Sequence, residues 1–463
     1  MENIEDIKWE EVSHAIIDVN DPFCIHDIQS KTPYCSNSRN DILEIIIDLR
    51  KYFAGINTQP KQYAIKDLEE GIPKLSFSKR SGAQEKMESI KITPDNRKRP
   101  TAWSWYRAYE HLFDYDDIKF YSTYPRSFTT FRGYDLQLVD TVDQTIIAPF
   151  LDHVFYVICS KNEDVYHYIT RWIASIIQIP NSKLETAIVI IGAMGAGKNL
   201  FSGALCNLLA RYSVDNISDL DHIIGKYNAV IDNKKLVVCN ELESILRGKA
   251  KNMDKLKTLI TDKTVQIHQK YIAAHLCDNV SNFIFISNNP VPLIIADQDR
   301  RFLVTKTSDH IVGNREYFRM LGDLVSEKRS AFYRHLFTYY STYPIGDWDH
   351  RLIPMTEAKE FIQEMSKSPY QEFIEAHFRL INNIRGPVLK NLWHQFAKST
   401  GIQPGKMKEF HAGIAPYVDM PQGVKWIQGK SQRVYNMKSD AFKKLDAKFP
   451  MPESDDEEDE DSN

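Results

Sequence analysis

Two glycines and a lysine, Gly192, Gly197 and Lys198, have the spacing of a loop that binds phosphate. An apolar run, Ala187–Ile191, precedes them and a helical apolar pattern follows, as such a loop requires. Glycines let backbone N–H groups approach phosphate oxygens closely, and the N-terminus of the following helix favours an anion. The lysine supplies positive charge for the β and γ phosphates. This stretch therefore predicts an ATP site.

Asn199 departs from the usual form of this loop, because a Ser or Thr hydroxyl normally follows the lysine and binds Mg²⁺. An amide oxygen is also a hard, neutral ligand that can hold the ion directly or through water. The alternatives are a working site, an altered one, and a chance glycine-rich turn; the strand before and the helix after favour a real site. The predicted nucleotide-binding residues are Gly192, Gly195, Gly197, Lys198, Asn199 and Leu200.

A second apolar strand, Leu236–Cys239, ends in Asn240 and Glu241. A carboxylate at a strand end beside the phosphates can orient the attacking water or bind Mg²⁺ through water, and Glu241 is the candidate for that role. Asn240 would hydrogen-bond a water on the metal, while Glu243 is a weaker candidate. The predicted metal set is thus Asn199, Asn240 and Glu241 around Mg²⁺, partly through water.

A third apolar strand, within "NFIFISNNP", ends close to Asn288, whose amide is placed to sense a γ-phosphate. By itself Asn-Asn-Pro is only a turn signal, so this prediction depends on the two preceding motifs. Arg300 and Arg301 follow shortly after. They are predicted either to pair with acids at a subunit surface, or to reach a neighbouring subunit's ATP site as an arginine finger.

The elements that must position these residues alternate between strand and helix over 184–310, which predicts an α/β core with a parallel sheet. Apolar residues at helical spacing before it, in "VYHYITRWIASIIQIP", predict a helix that Pro180 stops. The predicted organisation is a small N-terminal unit at 1–73, a basic linker at 74–100, a helical, collar-like unit at 101–183, the core at 184–310, a helical extension at 311–370, a winged-helix domain at 371–450, and a disordered acidic tail at 451–463.

The C-terminal part has the order helix, helix, hairpin, helix, which is typical of a winged-helix unit. Its basic residues would contact phosphates and its tryptophan would stack on a base. The alternative is a small domain with a solvated hairpin. The candidate DNA-binding residues here are Lys406, Lys408, Lys425, Trp426, Lys430 and Arg433.

The composition is that of a globular protein with a sizeable core: the 463 residues are 43% hydrophobic and 26% charged. No apolar run is long enough to span a bilayer, and we expect neither a secretion signal nor a membrane partner. Six scattered cysteines without a CxxC pattern indicate reduced thiols in an intracellular protein, and Cys24, His26 and Cys35 fit no common zinc spacing. The net charge of −4 hides a mildly basic body, because the tail after Met451 carries eight acids and no base. That tail either solubilises the chain or competes with nucleic acid.

The motifs ending on Lys198, Glu241 and Asn288, with the arginine pair, together resemble superfamily 3 helicases of viruses and plasmids. They are most similar to the helicase half of poxvirus-type, giant-virus and phage primase-helicases. The resemblance covers roughly residues 100–370, and an Asn after the loop lysine is an accepted variant in that family. The segments that carry it are "PFLDHVFYVIC", "VYHYITRWIASIIQIPNSKLETAIVIIGAMGAGKNLF", "GKYNAVIDNKKLVVCNEL" and "RLIPMTEAKEF".

This resemblance implies an AAA+-type core, a homo-hexameric ring, and ATP-driven movement along single-stranded DNA, usually 3′ to 5′. It also implies a pore hairpin, for which Lys270 is the candidate, with Lys263 and His275 behind it. Lys270 is equally compatible with a surface lysine on a strand. The N-terminal residues are too few for a primase, so we expect them to dock a separate primase or polymerase. The site of action would be the host nucleus or a cytoplasmic viral replication site.

Three functions compete on this sequence. The first is a replicative helicase that hydrolyses ATP at subunit interfaces and unwinds forked DNA. The second is a viral packaging or remodelling ATPase. The third is an inactive nucleotide-binding scaffold, for which Asn199 and Asn240 would mark degenerate chemistry.

Overall fold

The structure of the protein is a computed structural model. It describes residues 7–17, 39–58, 61–69, 72–90, 92, 101–240, 250–269, 274–327, 330–421, 423, 425–427 and 430–450. The chain forms two units, the first from 1–293 with 299–359 and the second from 294–298 with 360–463. No helix among the described residues is both long and apolar enough to cross a bilayer. The predicted acidic tail lies outside the described residues, as do Cys24, His26 and Cys35.

The first unit begins with a four-stranded sheet and short helices. Strand order in this sheet is the third, second, first and fourth strand of the chain, and its core contains Phe53, Tyr63 and Tyr106. The elements are α1 (Trp9–Val12), α2 (Arg39–Arg50), β1 (Phe53–Ile56), β2 (Gln62–Glu69), β3 (Ile72–Ser78), α3 (Arg80–Glu88), α4 (Ala102–Ala108), α5 (Glu110–Phe113), β4 (Asp114–Tyr115), β5 (Asp117–Lys119) and β6 (Ser127–Thr129).

The prediction of a basic linker at 74–100 is wrong for its first half. Strand β3 continues to Ser78 and pairs antiparallel with β2, and α3 follows directly. Ala83 and Met87 are fully buried one turn apart on α3. Lys79 and Arg80, where the strand gives way to the helix, are exposed, and such residues gave the segment its polar, linker-like composition.

A helical part follows, with a π-helix inside it. It contains α6 (Gln144–Asp152), a π-helix (His153–Ile158) and α7 (Glu163–Gln178). Helix α7 begins where the side chain of Asn162 accepts a hydrogen bond from the Val165 N–H, and it ends before Pro180 as predicted. One face of α7 is buried along its length, with Trp172 completely inside.

A parallel five-stranded sheet forms the centre of the first unit, which confirms the predicted α/β class. The elements are β7 (Ala187–Ile191), α8 (Lys198–Leu209), β8 (Ser213–Ile217), α9 (Asp221–Ile224), β9 (Leu236–Asn240), α10 (Ala250–Thr261), β10 (Thr264–Ile267), β11 (His275–Asp278), β12 (Asn282–Ser287) and β13 (Phe302–Lys306), with 3₁₀ turns at Ala210–Tyr212 and Ala229–Ile231. The strand order is β13-β7-β12-β9-β8, and β10 pairs with β11 in a separate antiparallel hairpin. The central strands are apolar except at their ends, as expected for a parallel sheet that is buried on both faces.

Helices cover the sheet and end the first unit. These are α11 (Arg315–Ser326), α12 (Ala331–Thr342) and the start of α13 (Glu357–Met365). A single hydrophobic core joins α6, α7, α8, α11 and α12 to one face of the sheet. The phosphate-type loop is therefore anchored at both ends, by a buried strand and by a helix whose inner side belongs to this core.

The second unit holds the rest of α13 and a small α+β assembly. Its elements are α14 (Pro369–His377), a 3₁₀ turn (Phe378–Leu380), β14 (Ile384–Arg385), α15 (Gly386–Ser399), α16 (Met407–Ile414), β15 (Val418–Asp419), β16 (Lys425–Ile427), β17 (Lys430–Gln432), β18 (Val434–Met437) and α17 (Ser439–Lys448). The predicted order of two helices, a hairpin and a last helix is confirmed. A sheet in the order β14-β18-β15 completes the unit around Trp393 and Phe410.

Candidate functional site

The candidate site is a cavity of about 570 Å³ at the carboxyl ends of the parallel strands. Four of the five strands contribute to its wall: the loop after β7, Asn216 on β8, Asn240 at the end of β9, and Ser287 at the end of β12. Ligands of open parallel sheets bind at this edge. Lys198 is the one charged side chain among the described residues of the wall, which are Met194, Gly195, Ala196, Gly197, Lys198, Asn199, Leu200, Asn216, Ser218, Asn240, Ile286, Ser287, Asn288 and Phe318.

Lys198 connects the glycine loop with the end of β12. Only 6% of it is exposed, and its Nζ donates hydrogen bonds to the carbonyl oxygens of Gly192 (2.8 Å) and Ala193 (2.7 Å) and to Asn288 Oδ1 (2.9 Å). Burial lowers the pKa of this lysine. The structure thus brings together Lys198 and Asn288, which the sequence predicted to act on the same phosphate from positions 90 residues apart.

The first glycine of the loop is required by its backbone and by its neighbour. Gly192 has φ +150°, and a Cβ on it would collide with the side chain of Thr307. Thr307 follows β13 and donates its backbone N–H to the Ile191 carbonyl (2.8 Å). Its hydroxyl is buried and has no hydrogen-bond partner among the described residues. Thr307, at the end of β13, therefore packs against the loop and supports it.

The second glycine of the loop rests on a histidine. Gly197 has φ +83°, and a Cβ on it would overlap the ring of His153. The His153 Nε2 lies 3.3 Å from the Gly197 carbonyl oxygen, and its Nδ1 lies 2.9 Å from the Tyr317 hydroxyl. Because a carbonyl can only accept, Nε2 carries the proton and Nδ1 accepts from Tyr317. Burial lowers the pKa of His153 to about 4, so the ring is neutral at pH 7.

Sequence reasoning missed His153 as a part of the site. Its one signal was a histidine next to Asp152 inside the otherwise mostly apolar run "PFLDHVFYVIC", a pattern that is typical of an ordinary core position. In the structure it begins the π-helix, an element that is rare and often found at functional sites. Helix α11 supplies Tyr317 behind the ring and Phe318 on the cavity wall.

The predicted amide ligands have different surroundings. Asn199 is exposed at the start of α8, and its side chain makes no hydrogen bond with the described residues. Asn240 donates from Nδ2 to Asn216 Oδ1 (2.9 Å), whereas its own Oδ1 is buried without a partner in the described structure. The cavity therefore offers two amide oxygens, both hard donors of the type that magnesium accepts. Glu241 and Glu243 lie outside the described residues.

The arginine pair lies at the amino end of strand β13, whereas the cavity lies at the carboxyl ends of the parallel strands. Arg301 immediately precedes β13, and β13 runs parallel to β7, so the pair is about 16 Å from the loop along five strand residues. Arg301 is bound to Asp299 by its backbone N–H (2.8 Å) and its guanidinium (3.2 Å). Arg300 is exposed. Neither arginine belongs to the cavity of its own chain.

The predicted DNA-binding residues are not gathered in this cavity. Lys263 is exposed just before β10, and His275 is half-buried on β11 beside Asp232 and Cys277. Lys270 lies outside the described residues. In the second unit, Lys425, Trp426 and Lys430 belong to the β16–β17 hairpin, although their side chains lie outside the described structure. The exposed Arg433 follows β17.

Comparisons with known proteins point to phage replication proteins. The profile of a family of unknown function (DUF5906) matches residues 190–301, from the end of β7 to the residue before β13. The chain is 26% identical over 250 residues to a DNA primase-polymerase of Nitratiruptor phage NrS-1. That match covers 51% of this chain and 34% of the relative, so the chain spans about a third of the relative's length.

Solved structures show the same fold. Two apo structures of the NrS-1 C-terminal region superpose with TM-scores of 0.57 and 0.59 at 19% identity. Each comparison covers 85% of this chain and 98% of the solved one. The fold of this chain is therefore that of the NrS-1 C-terminal region, a mixed α/β fold with a parallel sheet.

Proposed function

We propose that this chain is an ATP-dependent DNA helicase of superfamily 3 type, with an AAA+-like P-loop core. The observation that carries the proposal is the buried Lys198, which binds the glycine loop and Asn288 in a cavity at the carboxyl ends of parallel strands. A strand, a glycine loop, a lysine and a helix N-terminus in this order make a site for the phosphates of a nucleoside triphosphate.

In this proposal the loop residues bind the phosphates and the amides hold the metal. Gly195, Gly197 and Leu200 bring backbone N–H groups to the cavity wall, and Lys198 exchanges its loop carbonyls for phosphate oxygens. Magnesium, when bound, neutralises charge that develops on the phosphates. Asn199 is free to bind it, and the unpartnered Asn240 Oδ1 is free to accept from a metal-bound water. Glu241 would orient the attacking water.

The position of the arginine pair supports hydrolysis between subunits. Arg300 and Arg301 are remote from the cavity of their own chain, so an arginine finger from this pair must act on a neighbouring subunit. Arg300 is the better candidate because it is exposed, whereas Arg301 is bound to Asp299. A homo-hexameric ring is the assembly that we propose.

DNA is the proposed partner because the NrS-1 relative is a DNA primase-polymerase. Lys270, with Lys263, would line a pore for single-stranded DNA, whereas the second unit would act as a winged-helix domain through Arg433 and its hairpin. A separate primase or polymerase is a further proposed partner, because the NrS-1 relative is a DNA primase-polymerase.

The decisive experiment measures ATP turnover with and without single-stranded DNA, in Mg²⁺ and in Mn²⁺. We expect DNA-stimulated turnover in the unaltered chain and its loss in Lys198→Ala, because the ammonium is the only charged group of the described cavity wall. Lys161→Ala, an exposed lysine away from the cavity, is the matched control and should retain turnover.

Two results would decide against the proposal. Equal inactivity of the unaltered chain and Lys198→Ala, with both folded, would favour the nucleotide-binding scaffold. Turnover without unwinding of a forked duplex would favour a packaging or remodelling ATPase.

A further inference from the structure

A second cluster of metal-ligating side chains lies away from the candidate site. Asp232, His275 and Cys277 each present one ligand atom, and these three atoms lie within 4.8 Å of one another. All three residues are half-buried. From this arrangement we propose that Asp232, His275 and Cys277 bind a divalent metal ion of borderline softness, with zinc as the preferred ion. The proposal is independent of the proposed ATPase.

Two of the ligands are fixed by the strand on which they lie. His275 and Cys277 are alternate residues of β11, so both side chains lie on the same face of the hairpin. The residue between them, Leu276, points to the other face and is 68% exposed. A spacing of one intervening residue on a strand thus directs an imidazole and a thiol towards the same point.

The third ligand comes from a turn that is hydrogen-bonded to the same hairpin. Asp232 follows the 3₁₀ turn Ala229–Ile231. The side chain of Asn228 donates to the Gln266 carbonyl (3.0 Å) and accepts from the His268 N–H (2.9 Å). Since Gln266 and His268 flank the end of β10, these bonds hold the turn against the strand that pairs with β11. The cluster is therefore held on one side by the β10–β11 pairing and on the other by the hydrogen bonds of the Asn228 side chain.

The carboxylate of Asp232 is also oriented by its neighbours. Asn233 donates from Nδ2 to Asp232 Oδ1 (3.1 Å), and the Thr130 hydroxyl donates to Asn233 Oδ1 (2.7 Å). Outer hydrogen bonds of this type orient the ligands of metal sites and contribute to metal affinity. These hydrogen bonds fix the direction of the Asp232 carboxylate, unlike that of an exposed acid that lies near a histidine by chance.

The ligand types select the metal. A thiolate, an imidazole and a carboxylate are all zinc ligands, with bond lengths of about 2.0–2.3 Å, whereas magnesium and calcium prefer oxygen alone. Cys277 Sγ and Asp232 Oδ1 are 4.0 Å apart, so metal binding needs only a small movement of these side chains. Three protein ligands leave a fourth position for water.

Such a metal would tie the β10–β11 hairpin to the turn that leads into β9. The hairpin and the turn are otherwise joined through hydrogen bonds such as those of Asn228. A bound ion would therefore stiffen the base of the hairpin, and the folded chain should gain stability that rises with the logarithm of the metal concentration once the site is filled.

Cobalt(II) is the probe for this site, because its thiolate complexes absorb in the near ultraviolet. The protein is the full chain with Cys24→Ser and Cys35→Ser, which removes the cysteines that lie outside the described residues. We expect one equivalent of Co²⁺ with a thiolate charge-transfer band, displacement by one equivalent of Zn²⁺, and a higher unfolding temperature with Zn²⁺.

Variants assign the ligands. Cys277→Ser should abolish the charge-transfer band, and Asp232→Asn, which preserves shape, should weaken Co²⁺ binding at least about tenfold. His222→Gln, an exposed histidine, is the control and should bind normally. Should Cys277→Ser fail to fold, Asp232→Asn still decides the question. The proposal is overturned if Co²⁺ binds only when Cys24 and Cys35 are present, if Asp232→Asn binds as tightly as its parent, or if no thiolate band forms.

Discussion

His153 makes the stability of the first unit depend on pH. Its ring is completely buried under the glycine loop, and burial lowers its pKa to about 4 from 6.5 in the unfolded chain. Because the folded pKa is the lower one, the contribution to stability is fully present above pH 6.5. It is lost as the pH falls from 6.5 towards 4, since the unfolded chain then binds a proton that the folded chain excludes.

The size of this effect follows from the two pKa values. A separation of about 2.5 units corresponds to about 3.4 kcal/mol for complete acidification, and about 2 kcal/mol of this should already be lost at pH 5. The free energy of unfolding is measured by urea titration at pH 7.5 and at pH 5. His153→Gln removes the ionisable ring but keeps an amide donor for the Gly197 carbonyl.

His153→Gln should be less stable than the unaltered chain at pH 7.5, by about 1–3 kcal/mol, because Tyr317 loses its acceptor. Between pH 7.5 and pH 5, the free energy of unfolding of His153→Gln should fall by about 2 kcal/mol less than that of the unaltered chain. His222→Gln, an exposed control, should lose as much as the unaltered chain. If His153→Gln and the unaltered chain lose equal stability on acidification, the buried neutral ring is not the cause and the reasoning fails.

Two other substitutions test the loop itself. Gly192→Ala should destabilise the fold by about 2–5 kcal/mol, because its φ of +150° disfavours a side chain and the new Cβ would collide with Thr307. Gly203→Ala on α8, where nothing lies within 4 Å of the new Cβ, should instead be neutral or stabilising by up to about 1 kcal/mol. Thermal unfolding of both variants measures the difference. Equal effects of the two would contradict this reading of the backbone. Asn199→Ser should preserve or raise Mg²⁺-dependent ATP turnover, because it restores the usual hydroxyl at an exposed position, and a steady-state assay showing its turnover abolished would mean that the amide has a role of its own.

The local part of the site could be predicted from the sequence. Strand β7, the glycine loop and α8 follow one another within 23 residues, so their pattern is readable without tertiary information. The ends of β9 and β12 were predicted in the same way. Parallel pairing then brings these strand ends to one edge, which is why Lys198 and Asn288 meet as expected.

The supporting contacts could not be predicted, because they depend on packing between distant segments. His153 is 44 residues before Gly197 and 164 residues before Tyr317, and nothing in its local sequence distinguishes it from other buried residues. The α3 helix was hidden for a different reason. Its two buried residues, Ala83 and Met87, are too few to show a period within a basic segment.

The ammonium group of Lys198 already makes its full set of hydrogen bonds within the protein. An ammonium has three donors, and here two loop carbonyls and Asn288 occupy all of them. In the proposed function, a phosphate that binds this lysine would have to replace these three oxygens. Its affinity would therefore include the cost of breaking hydrogen bonds that the loop already makes.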